Sequence, residues 1–463
     1  MHFFSAGRAH VLGLYFLLVL GLTASTGAIA VEDPIGATAI RLSQDILRHG
    51  QAYTNLAELV AGGSRVSGSE GAAQAVKWAK AKLEAGGLDR VWLQPVTVPH
   101  WVRGKTEKAT IVGTAKNLRV AALGGSIGTP FGGVTAEVIQ AASLKDVAAL
   151  GPKAQGKIVF INGAMDPATI RTFDAYRATV SQRSSGAIEA AKLGAVAVLI
   201  RSLNPALDDH PHTGMMRYAE GVGQIPAGAL STLAADALSE AITSGGTVKI
   251  KLELSAQIQA PVQSYNVVGE ITGSQWPDQI VVVGGHLDSW DLGPGAQDDG
   301  AGVVQSIEVL AAFKRLGIKP RRTVRVVLFM SEEEGGLGGI EYARQAKAKG
   351  EKHIAALESD NGGFTPRGFS VDATNAAFAK ATRWVPYLSM LGADRMVKGD
   401  GETDIEPLGA SGTALFGLSP DSARYFDYHH AETDTLAAVN PRELHLGAAA
   451  MAVLVNLLQE QGI

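Results

Sequence analysis

Residues 280–288 read IVVVGGHLD, and this stretch carries the strongest fold signal in the chain. An apolar run of this length, followed by glycines, is typical of a buried strand that ends where the backbone can be approached closely. His286 and Asp288 come at the end of that strand. Because a buried imidazole and a buried carboxylate are costly unless paired or bound to a cation, the stretch predicts a polar site at a sheet edge.

The chain on either side of this stretch alternates strand-like and helix-like segments. Upstream, helices are predicted over 37–60 and 72–85, with a strand over 91–96. Downstream of Pro261, strands are predicted near 279–284, 323–330, 354–358 and 413–418, and helices near 300–316, 338–348, 376–385 and 441–461. This alternation predicts an α/β fold whose central sheet is mostly parallel or mixed and is covered by helices on both faces.

The pattern changes between residues 118 and 260, where short strand-like runs alternate with glycine-rich turns and two helix-like stretches. We interpret this region as an inserted domain that divides the main domain into residues 31–117 and 261–463. The region holds few candidate catalytic residues apart from the cluster His210-Pro211-His212. For that pair of histidines we expect a loop contact with a substrate or partner rather than a metal role.

The first 30 residues have the pattern of a secretory signal peptide. Arg8 precedes an apolar run over 11–22, and Ala28-Ile29-Ala30 offers small residues for cleavage. The run is shorter than the ~20 residues that a membrane span needs. We therefore expect an exported protein, periplasmic or extracellular, with no membrane segment after cleavage.

Composition excludes several kinds of chemistry. The 463 residues include no cysteine, so thiolate metal ligands, a cysteine nucleophile and disulfides are all excluded. The 41 basic and 45 acidic residues give a net charge of −4, which offers no electrostatic basis for binding nucleic acid.

Metal-capable side chains recur in five segments of the C-terminal half. Any one of them is commonplace, because an acidic residue at a strand end usually caps a helix or faces solvent. All five, however, fall at one edge of the predicted sheet and offer carboxylate oxygen and imidazole nitrogen, the ligands that divalent metals such as zinc accept. The segments are His286 with Asp288, Asp298 with Asp299, 331–336 (SEEEGG), 358–363 (ESDNGG) and 428–435 (YHHAETDT).

This ordered set resembles the co-catalytic dizinc exopeptidases, and within them the carboxypeptidase Q branch. The segment 64–69 (SRVSGS) resembles a further motif of that family, and the order and spacing match over the whole mature chain. The resemblance implies a zinc-exopeptidase, phosphorylase/hydrolase-like fold with a protease-associated, β-rich domain inserted at 118–260. The matching segments are 285–291 (GHLDSWD), 295–302 (GAQDDGAG), Glu332-Glu333 before Gly335-Gly336, 358–360 (ESD), and His430 before Asp434-Thr435.

The resemblance also implies two zinc ions per chain and a ligand set for each. His286 and Asp360 would bind one ion, Glu333 and His430 would bind the other, and Asp298 would bridge them. A site with this composition also accepts cobalt or manganese.

The catalytic roles follow from the same resemblance. Glu332 would be the general base, and the carboxylate of Asp288 would accept a hydrogen bond from the far nitrogen of His286, which fixes its tautomer. Tyr425 or Tyr428 could add a phenolic donor for the oxyanion, although plain packing explains either residue equally well.

The implied activity is hydrolysis of small peptides, dipeptides in particular, by an enzyme of a branch whose members are often homodimers. The terminus that is recognised stays open. A free amine needs an acidic partner, and no single residue stands out as the partner of a free carboxylate. The candidates for the amine are Asp288, Asp291, Glu402, Asp404 and Glu406.

Several alternatives remain at this stage. The same scaffold suits an N-terminal aminopeptidase, an N-acyl-amino-acid amide hydrolase or a catalytically silent binding module. Residues 124–128 (GGSIG) also fit the G-x-S-x-G pattern of a serine hydrolase. That pattern needs a helix after the serine, and the following TPFGG is a poor helix start.

Overall fold

The computed structural model describes residues 33–114 and 116–463, so the predicted signal peptide lies outside the described residues. Within this part of the chain, no helix is long and apolar enough to cross a membrane. The helices are α1 (Pro34–His49), α2 (Ala52–Ala61), α3 (Glu70–Ala85), α4 (Leu144–Leu150), α5 (Thr172–Thr179), α6 (Ser181–Lys192), α7 (Thr232–Thr243), α8 (Ala301–Arg315), α9 (Leu337–Lys349), α10 (Asn375–Thr382), α11 (Val385–Leu388), α12 (Glu406–Gly409) and α13 (Pro441–Gln461).

The strands form two sheets, described in turn below. They are β1 (Arg90–Val102), β2 (Glu107–Ile111), β3 (Asn117–Leu118), β4 (Val120–Ala122), β5 (Val134–Ala141), β6 (Ile158–Ile161), β7 (Ala197–Arg201), β8 (Ala227–Leu230), β9 (Lys249–Leu254), β10 (Gln257–Ile271), β11 (Trp276–His286), β12 (Arg322–Phe329), β13 (Lys352–Glu358), β14 (Pro366–Asp372), β15 (Arg395–Lys398) and β16 (Ala414–Pro420).

The first sheet has the strand order β1-β10-β12-β11-β13-β16-β14-β15. Its centre, β12-β11-β13-β16, is parallel, whereas β1 and β10 on one side and β14 on the other join antiparallel. This confirms the predicted mixed α/β fold. Because the central strands are parallel, the loops that follow all four of them meet at one sheet edge, where such folds bind their ligands.

Both faces of the first sheet are covered, as the sequence predicted. Successive residues of β11 point to opposite faces. Val281 and Val283 pack into the core that contains α8 and α13, whereas Val282 packs on the other side with Tyr342 of α9 and Leu408 of α12. The alternation accounts for the continuous apolar run, since a strand buried on both faces has no solvent side.

The second sheet has the order β3-β2-β9-β5-β6-β7-β8-β4, with β5, β6, β7 and β8 parallel. Four helices, α4 to α7, lie in the same part of the sequence, which is therefore less purely β than expected. The sheet already includes β2, upstream of residue 118. Its assignment as an inserted protease-associated domain stays a prediction.

The first sheet region differs from the sequence prediction in several features, among them the strands β10 and β14, which were not predicted. The single helix expected over 37–60 is broken between α1 and α2 at Gly50, and the Gln51 N–H donates to Glu308 Oε2 at 2.8 Å. A Cβ at Gly50 would lie 2.4 Å from the carbonyl oxygen of Ile46, so glycine permits the break. The edge strand β15 was not predicted, because its mostly exposed residues give no apolar signal.

Candidate metal centre

The five predicted ligands meet at the carboxyl edge of the first sheet. Oδ1 of Asp298 lies 3.3 Å from His286 Nε2, and Oδ2 lies 3.2 Å from His430 Nε2. Asp360 Oδ1 is 3.2 Å from the same nitrogen of His286, and Glu333 Oε2 is 3.1 Å from the same nitrogen of His430. The five side chains thus form two groups of three that share Asp298, which is the arrangement of a bridging carboxylate.

Each ligand is positioned by a different element of the sheet. His286 is the last residue of β11, and Glu333 and Asp360 follow β12 and β13. Asp298 lies in the loop that enters α8, and His430 lies in the long connection between β16 and α13. The site therefore depends on the parallel sheet, since residues up to 144 positions apart in sequence meet only where these strand ends converge.

The donor atoms fit a metal site. His286, Asp298, Glu333 and His430 are each at most 9% exposed, and Asp298 Oδ2 and Glu333 Oε1 have no hydrogen-bond partner. Buried carboxylate oxygens without a partner are costly, and a cation would remove that cost. Mixed imidazole and carboxylate donors suit zinc.

The carboxylates of the site strongly shift the pKa values of its two histidine ligands. Burial lowers the pKa of His430, but the carboxylates of Glu333 and Asp298 outweigh it and raise that pKa to about 9. The pKa of His286 is likewise raised well above its ordinary value: burial opposes this, and Asp360 and Asp298 outweigh the burial. These imidazole protons sit where a cation would, so metal binding would release them.

The bridging residue is itself held by a second set of contacts. The N–H groups of Gln297 and Asp298 donate to the two oxygens of Asp434, at 2.7 and 3.0 Å. Asp299 lies close enough to His286 and Asp360 to form a metal-capable group with them, but its two oxygens already accept from the N–H groups of His286 and Gly302 at 3.0 and 2.9 Å, joining β11 to the start of α8. Asp299 is thus a positioning residue.

Asp288 does not bond His286 through its carboxylate, as the resemblance implied. The nearest acceptor for His286 Nδ1 is the backbone oxygen of Asp288, at 3.2 Å, whereas its carboxylate lies 3.7 Å away. The carboxylate instead accepts from the N–H groups of Ser331, Glu332 and Glu333, at 2.7, 3.3 and 3.3 Å. Asp288 therefore fixes the turn that carries the proposed base and one ligand.

Two of the loops hold non-glycine residues in the left-handed region, Ser331 at φ 71° and His430 at φ 62°. This conformation is costly for residues with a Cβ and persists where neighbours fix it. The Asp288 carboxylate fixes Ser331 by accepting a hydrogen bond from the Ser331 N–H. The Thr213 N–H fixes His430 by donating to the His430 carbonyl oxygen at 3.1 Å.

A cavity of about 420 Å³ opens onto both metal groups. Glu332 and Tyr425 line it, but Tyr428 is not among the lining residues and stacks on Phe364 instead. Burial raises the pKa of Glu332 well above its ordinary value, and the carboxylates of Asp360 and Glu333 add to the effect. Burial also raises the pKa of Tyr425, which keeps its hydroxyl protonated as a donor.

Of the candidates for an amine partner, the structure places one in this cavity. Glu402 lines it and accepts from Asn361 Nδ2 at 2.8 Å, next to the ligand Asp360. Asp291 is bound by Arg103 at 2.6 Å, and Asp288 is engaged by the turn at 331–333. Asp404 is buried but does not line the cavity, and Glu406 is exposed.

The histidine cluster at 210–212 joins the second sheet region to the metal loop. His212 Nδ1 is 2.7 Å from the carbonyl oxygen of His429, and His210 Nδ1 is 2.6 Å from Glu432 Oε1. His429 stacks on His430 with ring centroids 3.5 Å apart and could itself join a metal group with Asp298. Burial lowers the pKa of His429 well below its ordinary value, so its ring is neutral.

The serine-hydrolase alternative fails on geometry. Ser126 is fully buried, its Oγ accepts from the Ala227 N–H and donates to the Ile127 carbonyl oxygen, both at 2.8 Å, and no helix follows it. The residue closes a turn in the second sheet and is no exposed nucleophile.

Sequence reasoning gave no role to Arg65, although it noted the segment that contains it. The side chain is 1% exposed and donates to the carbonyl oxygens of Leu287, Pro294 and Gly295, which flank the metal loops. Sequence reasoning also missed Asp434, whose carboxylate holds the backbone at the bridging residue Asp298. It further missed all the cavity-lining residues between positions 173 and 217. Arg65 and Asp434 stand in the motifs at 64–69 and 428–435, whereas the cavity-lining residues stand in no recognisable motif.

Comparison with known proteins identifies the family. The model of peptidase family M28 matches residues 266–455. Carboxypeptidase Q of Bos taurus is 36% identical over 427 residues, which cover 92% of this chain and 89% of that protein. Carboxypeptidase Q of Xenopus laevis is 39% identical over 415 residues, covering 89% and 87%. The chain belongs to peptidase family M28. It is therefore a metallopeptidase, as the motifs predicted.

Two solved structures agree with the fold. The crystal structure of a peptidase M28 precursor from Shewanella amazonensis superposes with a TM-score of 0.90 at 39% identity, covering 93% of this chain and 98% of that one. A zinc aminopeptidase from Bacillus subtilis has a TM-score of 0.64 at 20% identity, covering 88% and 94%, and so shows the fold alone.

Proposed function

We propose that this M28 peptidase is an exported dinuclear zinc exopeptidase that hydrolyses small peptides, dipeptides in particular. The observation that carries the proposal is Asp298, whose two oxygens face two separate ligand groups at 3.3 and 3.2 Å. The curated relatives are named carboxypeptidases, and the N-terminal pattern supports export. A cavity of about 420 Å³ suits a small peptide better than a folded substrate.

The metal ligands would divide as the resemblance implies. His286 and Asp360 would hold one zinc ion, Glu333 and His430 the other, and Asp298 would touch both. When bound, the two ions supply Lewis-acid polarisation of the scissile carbonyl and lower the pKa of water at the site.

Glu332 would move the proton. Glu332 lines the cavity beside the ligand Glu333. Its backbone N–H donates to Asp288 Oδ1 at 3.3 Å, which fixes the backbone from which the side chain extends. A carboxylate with a raised pKa accepts a proton from water and can pass it to the leaving amine. The same residue thus acts first as base and then as acid.

Tyr425 would donate to the oxyanion. Its ring is 3% exposed and stacks on Phe173 at 5.3 Å, which fixes the phenol in the cavity wall. A preorganised neutral donor is worth more in a site sheltered from water than in solution.

Glu332→Gln tests the proposal. The zinc-loaded variant should lose about 10²–10⁴-fold in kcat on di- and tripeptides, because the proton acceptor is gone, while it still binds two zinc ions. Glu84→Gln, at an exposed position on α3, is the matched control and should be unchanged.

Two results would contradict the proposal. Wild-type protein that binds two zinc ions but cleaves no small peptide would indicate the silent binding module. Cleavage of N-acyl amino acids in preference to peptides would favour the amide-hydrolase alternative.

A further inference from the structure

One guanidinium in the cavity has no partner that explains its burial. Arg183, on α6, is 9% exposed, and no carboxylate of the described residues pairs with it. Its Nε is buried without a hydrogen-bond partner, and it is the only arginine Nε in that state within residues 33–114 and 116–463. By comparison, the buried Arg103 and Arg325 each pair with two carboxylates, and the buried Arg65 donates through three of its nitrogens to carbonyl oxygens.

The contacts that Arg183 does make hold it in place without neutralising it. Nη1 donates to the carbonyl oxygen of Thr213 at 3.2 Å, and the guanidinium lies over the ring of Tyr176, 5.5 Å from its centroid. His430 Nδ1 is 3.3 Å from the same Nη1, but it also lies 3.1 Å from the Thr213 oxygen, to which it would donate when Nε2 binds a metal. A buried cation without a counter-ion is costly, and the carboxylate of a bound substrate would offset that cost.

The position of Arg183 suits the carboxylate of a substrate. It lines the cavity that contains Asp298, Glu333 and His430, next to one of the two ligand groups. In a dipeptide the scissile carbonyl and the terminal carboxylate belong to adjacent residues, whose Cα atoms are about 3.8 Å apart. Arg183 Nη1 lies 3.3 Å from a ring nitrogen of the ligand His430, so the guanidinium and this ligand group line the same cavity, as a dipeptide bound by both would require.

The opposite charge lies beside the other ligand group. Glu402 lines the same cavity and is bonded to Asn361, the neighbour of the ligand Asp360. A dipeptide with a free amine towards Glu402 and a free carboxylate towards Arg183 would place its peptide bond between the two groups.

We propose, on the basis of the function proposed above, that Arg183 binds the α-carboxylate of the residue that leaves. It makes the enzyme selective for peptides whose C-terminal carboxylate is free and one residue from the scissile bond. The arginine fork matches a carboxylate in shape and adds charge-assisted hydrogen bonds. The region that contains the second sheet thus supplies substrate recognition to a metal site built by the first.

The test compares Ala-Leu with its C-terminal amide, Ala-Leu-NH₂. Zinc-loaded wild type should favour the free acid by at least about 10-fold in kcat/KM. Arg183→Gln should lose about 10–100-fold on the acid, chiefly through KM, and less than about 3-fold on the amide, because only the acid loses a charged hydrogen bond. Arg183→Lys should recover part of the loss.

Two controls separate recognition from damage. Arg217→Gln removes an exposed arginine that lines the same cavity, and it should leave the acid-to-amide ratio within about 3-fold of wild type. In a Glu332→Gln background, calorimetry should show that Arg183→Gln weakens binding of Ala-Leu but not of its amide.

Equal losses on acid and amide, or a loss of selectivity in Arg217→Gln instead, would overturn the role of Arg183 while leaving the peptidase intact. A wild type that cleaves neither compound despite two bound zinc ions would overturn the proposed function as well.

Discussion

At the residue scale, the carboxylate of Asp288 organises the chemistry without facing the substrate. It is fully buried and accepts three backbone N–H groups from the turn at 331–333. A carboxylate can accept all three at once because both of its oxygens are acceptors. An amide of the same shape cannot, since half of it donates.

We therefore expect Asp288→Asn to misplace Glu332 and Glu333 together. The amide would turn an N–H towards a backbone N–H, and the lost alignment should lower kcat by about 10–100-fold and weaken zinc binding at the Glu333 and His430 group. Steady-state kinetics and zinc titration measure both effects. Asp278→Asn, at an exposed position on β11, the strand that precedes Asp288, should change neither.

Single residues were the part of the site that sequence predicted best. The five proposed ligands and Glu332 stand in short motifs, and the resemblance to the dizinc exopeptidases selected them among the metal-capable residues there. The role of Asp288 was predicted wrongly in one detail, because sequence cannot distinguish a backbone carbonyl from a carboxylate two residues from His286. Sequence could not select Arg183, because what distinguishes this arginine is that no carboxylate pairs with it in the folded structure.

At the element scale, the loop at 212–214 ties the two sheets together at the metal site. Gly214 has φ 121°, and a Cβ there would come within 2.5 Å of both His430 Nδ1 and Arg183 Nη1. The glycine is required by this close approach as well as by its backbone conformation.

Gly214→Ala should consequently displace the His430 ring and reduce zinc affinity and kcat/KM, by about 10-fold or more. Gly221→Ala is the matched control: it also has a positive φ, 74°, but nothing lies within 4 Å of its Cβ position. Both variants carry backbone strain, so unfolding midpoints should fall in both, whereas only the first should lose zinc. Equal zinc affinity in the two variants would show that the loop does not position His430.

Another element contact predicts acid sensitivity. His353 on β13 is buried, and its Nε2 lies 2.8 Å from the hydroxyl of Tyr342, which itself accepts from Arg325 at 3.0 Å. Burial lowers the pKa of His353 to about 4, and the charge of Arg325 adds to this effect. The neutral ring of His353 therefore accepts a hydrogen bond from the Tyr342 hydroxyl in the folded protein.

Because the folded pKa is depressed below the ordinary 6.5, the stabilising contribution of His353 is complete above pH 6.5 and is lost as the pH falls towards 4. With chelator present, the unfolding free energy of wild type should fall over this window by up to about 3 kcal/mol more than that of His353→Gln. His49→Gln, at an exposed histidine, should follow wild type. Parallel curves for wild type and His353→Gln would refute the assignment.

At the scale of the whole molecule, the sequence predicted individual strands in both sheets better than it predicted how the two sheet regions contact each other. Buried parallel strands have unbroken apolar runs, so β11, β12, β13 and β16 were predicted within a few residues, and so were the helices α8, α9 and α10. The second sheet consists of short strands with weak periodicity, and its contacts with the metal loop join residues more than 200 positions apart. Such contacts depend on how the chain packs in three dimensions and leave no local pattern.

We infer that five side chains hold two metal ions bridged by Asp298. Anomalous scattering at the zinc absorption edge, from crystals of the zinc-loaded protein, tests it most directly. We predict two peaks, one among His286, Asp298 and Asp360 and one among Asp298, Glu333 and His430. A single peak, or two peaks of which neither contacts Asp298, would contradict the account.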